Sequence, residues 1–362
     1  MDAKGIDTFE AIRTLLCQVP GAQINSVRYD EESLTQYGID GLVFFTHAGA
    51  NFSLAVHVKA NGAPRYVRAG IYQLESYIAR LQQVPKGNAN VPIIPMILSQ
   101  YLSPKSRSIC TDHEVAYLDL FGNARLVFES VYIERAVADR PVTESRALRS
   151  LFTPKAAAIL RVLLREPDRA WRVAELADEA RASYGHVSNV RRALLEREWI
   201  EVESEGVVLV QPNSLLQEWR DSYHPPVCES ISGYTTFQGS EFDQRLWDKL
   251  NPFPEHPRAI YSLHSAAQRL APLDPSGIHT FYVNEKGAEV LYAALALTRN
   301  VEGPNVILSV VKDESPFLDA FEPSANVFCS SPTVTYLDLW AGNDHDKAAA
   351  ENLAQTYFPW LN

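Results

Sequence analysis

The chain has 362 residues, 46% of them hydrophobic and 21% charged, with a formal net charge of −11. These values exclude a disordered or fibrous polypeptide and leave room for two or three domains with real cores. A pI of about 5.4 makes the chain a poor nonspecific nucleic-acid binder, so any such contact has to come from a local basic surface, and from a dimer.

Taken in chain order, residues 1–145 read as an α/β domain. A helix is predicted over 8–19, strands over 41–46 and 52–59, and a helix over 69–82. A strand over 91–98 and another over 115–120 follow, the latter with a hairpin partner near 125–134. This order resembles the restriction-endonuclease-like fold. The resemblance implies an Asp at the start of one strand and a Glu-x-Lys in the next, which gather Mg²⁺ and the scissile phosphate. Asp40 and Lys59 match those positions, but His57 stands where the Glu belongs. Neutral imidazole is a poor ligand for a hard cation, so the expectation is a degenerate nuclease with no catalytic residues, metal or cofactor.

Three uses of Asp40, His57 and Lys59 compete: an inert nucleic-acid-binding or dimerisation platform, ordinary strand residues, and an active metal-dependent nuclease. In the last case the missing carboxylate would come from elsewhere, for instance Glu10 or Glu75. Directly after the strand, Gly62-Ala-Pro-Arg65-Tyr-Val-Arg68 puts Arg65, Arg68 and a Tyr at what reads as a turn, either a phosphate clamp or a solvated loop.

Residues 137–150 carry no apolar period and read as a connector. Residues 150–223 then read as a winged helix-turn-helix. Thr153-Pro154 caps a first helix whose Ala156, Ile159, Leu160 and Leu163 recur at helical spacing until Glu166-Pro167. A short second helix over 173–180 and a third capped by Ser183 follow, and a tight hairpin over 199–210 closes the unit. Helix three turns Val187, Val190, Leu194 and Leu195 inward. That leaves Tyr184, His186, Ser188, Asn189 and Arg192 as the proposed readers of double-stranded operator DNA. The same helix face also suits a module used only to pair subunits. Glu201, Glu203 and Glu205 crowd the wing, where phosphate contact would call for Lys or Arg.

His224-Pro-Pro and a Ser/Gly/Thr-rich stretch to Ser240 read as a second connector. Beyond it, 235–362 reads as an α/β layer domain with strands over 258–263, 279–283, 305–311 and 336–339, and helices near 265–270, 288–298 and 347–357. Gly239-Ser240 with Asp243 lacks the carboxylate pair of a nucleotidyltransferase, and His256, His264, His279 and His345 are scattered. Neither a P-loop, a dinucleotide glycine fingerprint, an HExxH nor a nucleophile elbow is present.

Two whole-chain patterns remain. Lys plus Arg against Asp plus Glu runs 15 to 15 over 1–150, 10 to 12 over 151–225 and 8 to 17 over 226–362, so the acidity sits in the last third. Val115-Ala-Tyr-Leu-Asp-Leu120 and Val334-Thr-Tyr-Leu-Asp-Leu339 differ at one position in six, with Gly-Asn soon after each, and read as two similar buried strands arising by chance or convergence. Cys17, Cys110, Cys228 and Cys329 are far apart, show no ligand or redox spacing, and read as buried thiols in a reducing compartment. No apolar run reaches bilayer length and no hydrophobic signal segment opens the chain, so the expected location is the cytoplasm, with no membrane partner.

The winged helix, Leu215-Leu-Gln-Glu-Trp219, Tyr223, Leu263-His-Ser-Ala-Ala-Gln-Arg-Leu-Ala-Pro272, Tyr336-Leu-Asp-Leu and Lys347-Ala-Ala-Ala-Glu-Asn-Leu353 together resemble the AbiEi-type antitoxins of type IV toxin–antitoxin systems. The resemblance covers roughly 150–362. It implies a repressor of its own operon, with operator contacts on Tyr184, His186, Ser188, Asn189 and Arg192. It also implies a C-terminal domain that opposes a nucleotidyltransferase toxin without tight binding. The front domain and the acidic wing depart from the simplest members. The chain is therefore expected to be a non-enzymatic, dimeric DNA-binding regulator that draws phosphate affinity from Arg65, Arg68 and Lys59.

Overall fold

Short runs of β-branched and aromatic residues, separated by turn formers, build the amino-terminal sheet. A computed structural model describes residues 3–29, 34, 38–83, 91–137, 140–271, 277–299 and 303–361. Its first elements are α1 (Ala3–Leu16), β1 (Gln23–Tyr29), β2 (Gly41–His47), β3 (Ala50–Lys59), α2 (Pro64–Gln83) and β4 (Ile93–Ser99). Then come α3 (Pro104–Asp112), β5 (Ala116–Asp119), β6 (Ala124–Phe128) and β7 (Val131–Arg135).

The seven strands lie side by side in chain order. β3, β4 and β5 run parallel and the other neighbours antiparallel. A parallel step needs a crossover, and α2 and α3 supply the two. Alternation along the strands divides the core between two faces. Ile12, Leu15 and Leu16 of α1 pack with Phe45, Leu54 and Met96 on one, and Val67, Ile71, Leu74 and Ile109 of α2 and α3 pack with Ala55, Ile97 and Tyr117 on the other.

Three expectations for this region change. β1 and α3 are elements that the apolar pattern did not announce, because β1 is a largely exposed edge strand and α3 is short. The hairpin partner near 125–134 is two strands, broken where Glu129 adopts φ 44°. The turn expected at Gly62–Arg68 is helix from Pro64 onward, with proline at the first helical position.

The remaining elements are α4 (Val142–Leu151), α5 (Pro154–Arg165), α6 (Val173–Glu179), α7 (Tyr184–Glu196), β8 (Ile200–Val202), β9 (Val207–Leu209) and α8 (Pro212–Ser222). After these come β10 (Val227–Gly233), α9 (Gly239–Leu246), β11 (Ala259–Tyr261), α10 (Leu263–Leu270), β12 (His279–Val283) and α11 (Glu285–Ala294). The last are β13 (Val306–Val311), α12 (Ser315–Leu318), β14 (Phe321–Ser324), β15 (Val327–Cys329), α13 (Pro332–Trp340) and α14 (Asp344–Tyr357). β8 and β9 form a two-stranded sheet, and a six-stranded sheet runs β10-β13-β12-β11-β15-β14. The molecule is thus a mixed α/β protein with three sheets among its described residues.

Both connectors prove partly structured. α4 occupies most of 137–150 and buries Leu148 and Leu151, while positions 138 and 139 lie outside the described residues, as does Pro272. β10, within the second connector, pairs antiparallel with β13 at the edge of the sheet. The strand expected at 336–339 is overturned: these residues belong to helix α13, whose N-cap Ser331 accepts a hydrogen bond from the Val334 amide and whose first residue is Pro332. The two Tyr-Leu-Asp-Leu runs therefore take different structures.

The chain divides into two compact units, residues 1–147 with 195–198, and 148–194 with 199–362. No helix among the described residues is long and apolar enough to cross a membrane. Cys110 and Cys329 are buried, and burial pushes each thiol up to about 12. Cys17 and Cys228 are exposed instead, since one follows the end of α1 and the other sits on an edge strand.

Candidate nucleic-acid interface

Residues 153–209 are assembled by a few local devices. Thr153 takes the extended N-cap conformation, φ −65° and ψ 153°, ahead of Pro154. α5 then buries Ala156, Ile159, Leu160 and Leu163. Trp171, 1% exposed, ties the helices to the hairpin: its N–H donates to the Val207 carbonyl and its own carbonyl accepts from Val207 N–H, both at 2.9 Å. Gly206 makes this possible, because a Cβ there would land on the Trp171 backbone carbonyl.

α6 buries Leu176 and Ala177, and the chain turns at Arg181, φ 49°. Ser183 Oγ accepts from the His186 amide at 3.3 Å. α7 buries Val187, Val190 and Leu194, and Leu195 is half-buried. Of the five residues assigned to the outer face, Tyr184, Ser188, Asn189 and Arg192 are exposed. Arg192 Nη2 donates to Asn189 Oδ1 at 3.3 Å, a contact loose enough to exchange for a base edge. His186 departs from the expectation: it borders the apolar stripe, is half-buried, and its Nε2 is buried without a hydrogen-bond partner.

Glu201, Glu203 and Glu205 are all exposed on the hairpin. Cations that sequence reasoning passed over lie near α6. Arg172, just ahead of it, and Arg181, just after it, are exposed. The only signal for them was their position at the two ends of a short helix.

In the first unit, the strand register brings Asp40, His57 and Lys59 together. Asp40 precedes β2, donates its N–H to the Val56 carbonyl at 3.0 Å, and accepts the Val58 N–H on Oδ2 at 2.7 Å. His57 Nδ1 stands 2.7 Å from the same oxygen without the alignment of a hydrogen bond. Lys59 Nζ donates to Gln73 Oε1 at 3.3 Å. Burial lowers the Lys59 pKa, and the Asp40 charge offsets part of the effect. Gly70 lets α2 come this close, since a Cβ there would press on Ile97, His57 and Lys59 at 2.8–3.0 Å. Gln73 and Gly70 were missed because they reach the cluster only through the helix-to-sheet crossing.

This donor set does not fit Mg²⁺. It offers one carboxylate, an imidazole and a side-chain amide, and no group of three His, Cys, Asp or Glu suited to a metal occurs among the described residues. Glu10 pairs with Arg13 at 3.4 Å and Glu75 with His113 at 3.2 Å. Arg65 and Arg68 sit in the first turns of α2, both exposed, and Arg68 Nε donates to both carboxylate oxygens of Glu198, at 2.9 and 3.0 Å. Arg65 is the less encumbered of the two.

In the second unit, two of the four histidines expected to be scattered meet. His264 Nε2 lies 2.6 Å from Asp346 Oδ1 and its ring stacks on His345 with centroids 5.3 Å apart. Asp346 Oδ2 is already taken by the Asn343 N–H of a capping box, so the pair reads as helix capping. Asp338 lies on the buried face of α13, its Oδ1 accepting from the Tyr223 hydroxyl at 2.7 Å. No protein-family model, curated protein or solved structure matches the chain.

Proposed function

We propose that the chain is a winged-helix DNA-binding regulator that represses its own operon, of the kind found in type IV antitoxins. The observation that carries this reading is α7. It follows a sharp turn at Arg181, buries Val187, Val190 and Leu194, and presents Tyr184, Ser188, Asn189 and Arg192 to solvent. Asn has the donor and acceptor that complement adenine N7 and N6, and Arg the two donors that complement guanine N7 and O6, in the major groove. His186, half-buried, is a weaker reader than the other four. The amino-terminal domain is read as a degenerate restriction-endonuclease-like platform without cleavage activity, because its donor set suits no hard cation.

The test is a gel shift with the protein's own upstream DNA. Wild type should shift it in a salt-dependent manner, and the Asn189→Ala, Arg192→Ala double variant should bind at least about tenfold more weakly, in line with roughly 1–3 kcal/mol per good base contact. A double variant that shifts DNA as well as wild type removes α7 as the reader. One observation favours a second reading, a module that only pairs subunits: the wing presents Glu201, Glu203 and Glu205 to solvent. In that case wild type would shift no DNA and would still sediment as a dimer. An adjacent nucleotidyltransferase gene would support the antitoxin role.

A further inference from the structure

The second unit contains a cavity of about 470 Å³, a size suited to a small molecule. Its walls come from α5, the end of α6 with Arg181, the segment from α12 into β14, the first turn of α13 and the end of α14. Arg161 lines it with a side chain only 6% exposed, and its Nε forms an ion pair with Asp319 Oδ2. Arg161 Nη2 and Asp319 Oδ1 are both buried without a hydrogen-bond partner. An unmatched donor on a cation and an unmatched acceptor on an anion, carried by two residues that line one cavity, define by complement the ligand that opening their ion pair would admit. It has to present a carboxylate to the guanidinium and an N–H cation to the carboxylate. A simple anion would meet Asp319, and a simple cation would meet Arg161. Leu318, Phe321 and Phe358 give the cavity an apolar wall for a hydrocarbon body.

We propose that this cavity binds a free amino acid with an apolar side chain, and that its occupancy sets operator affinity. The second half rests on the regulator reading above. The coupling has a short physical route. The cavity is walled by α5, the first of the three helices, and by Arg181 in the turn that sets the start of α7. A ligand that separates or re-pairs Arg161 and Asp319 shifts the turn ahead of the exposed face, and DNA in return changes the ligand's affinity.

The experiment is titration calorimetry on the full chain with L-leucine, L-phenylalanine and L-tryptophan, followed by the other common amino acids, and with phenylacetate and phenethylamine as single-charge controls. The result expected is saturable binding of at least one apolar amino acid in the millimolar range or tighter, with neither control binding comparably. Ala158→Phe puts a large side chain into the cavity while keeping both members of the ion pair, and should abolish binding. So should the double variant Arg161→Met, Asp319→Leu, which replaces the pair by packing of similar volume, with circular dichroism confirming that both variants fold. A saturating ligand should move the gel-shift midpoint by about fivefold or more.

Absence of binding by every common amino acid overturns the site, and binding unchanged in Ala158→Phe overturns its location. Binding that leaves the gel-shift midpoint unmoved overturns the coupling. If the protein shifts no DNA even without ligand, the regulator reading falls while calorimetry still decides the cavity.

Discussion

At the scale of the residue, the two echoing hexapeptides place the same Asp in opposite surroundings. Asp119 accepts from the amides of Leu102, Phe121 and Asn123 and from the Asn123 side chain, at 2.7–3.0 Å. Four donors of this kind hold a loop in place. Asp338 has hydroxyls for company instead. Burial raises its carboxyl from the ordinary range to about 7, and hydrogen bonding to Tyr223 and Tyr282 offsets only part of that rise. The Tyr223 hydroxyl is itself held well above its usual range by burial and by Asp338. Between about pH 4 and about pH 7 the folded chain keeps a proton on Asp338 that the unfolded chain has lost. Stability is therefore highest at the acid end of this window and falls as pH rises through it, by on the order of 4 kcal/mol in all. Asp338→Asn keeps the acceptor for Tyr223 and removes the titration. Its Tm should fall less than the wild-type Tm between about pH 5 and about pH 8 in paired scans. Parallel curves for the two proteins would mean that Asp338 does not titrate in this range.

At the scale of the element, the hairpin that follows α7 hangs on Gly206. A side chain there collides with the Trp171 backbone, so Gly206→Ala should cost about 1–3 kcal/mol, as overpacking does. Urea unfolding would register this as a lower midpoint with an unchanged slope, and a midpoint within error of wild type would refute the close approach. How far such elements could be foreseen depended on where their signals lay. α5 was legible because Thr153-Pro154 and a clean apolar period agree, and α7 because its stripe is unbroken. α13 carries at Ser331-Pro332 the same start signal as Thr153-Pro154, and only its likeness to residues 115–120 suggests a strand. β1 and β10 were missed because an exposed edge strand needs no apolar alternation. In the candidate site, Asp40, His57 and Lys59 were marked by the resemblance to the restriction-endonuclease-like fold, and strand period puts His57 and Lys59 on one face. Gln73 and Gly70 could not be placed, because helix-to-sheet contacts leave no local trace.

At the scale of the whole molecule, charge decides how DNA could be held. With a net charge of −11 and an acidic hairpin, the chain has Arg172, Arg181 and Arg192 exposed around α6 and α7. If Arg172 and Arg181 supply the phosphate contacts and Arg192 reads a base, log K should fall against log salt with a slope of roughly −2 per chain. A gel-shift series across salt concentration measures this, and a slope twice as steep would assign further contacts to cations elsewhere, Arg65 first. The twinned hexapeptides bear on the molecule's fate as well as on its fold. Val334-Thr-Tyr-Leu-Asp-Leu339 is helical only while its cap and its burial hold, and of nearly the same letters at 115–120 the middle four form strand β5. A chain that opens at α13 bares a segment already competent to pair edge to edge with its neighbours. Heating past that opening should leave aggregate, so the carboxy-terminal helices set whether unfolding can be undone.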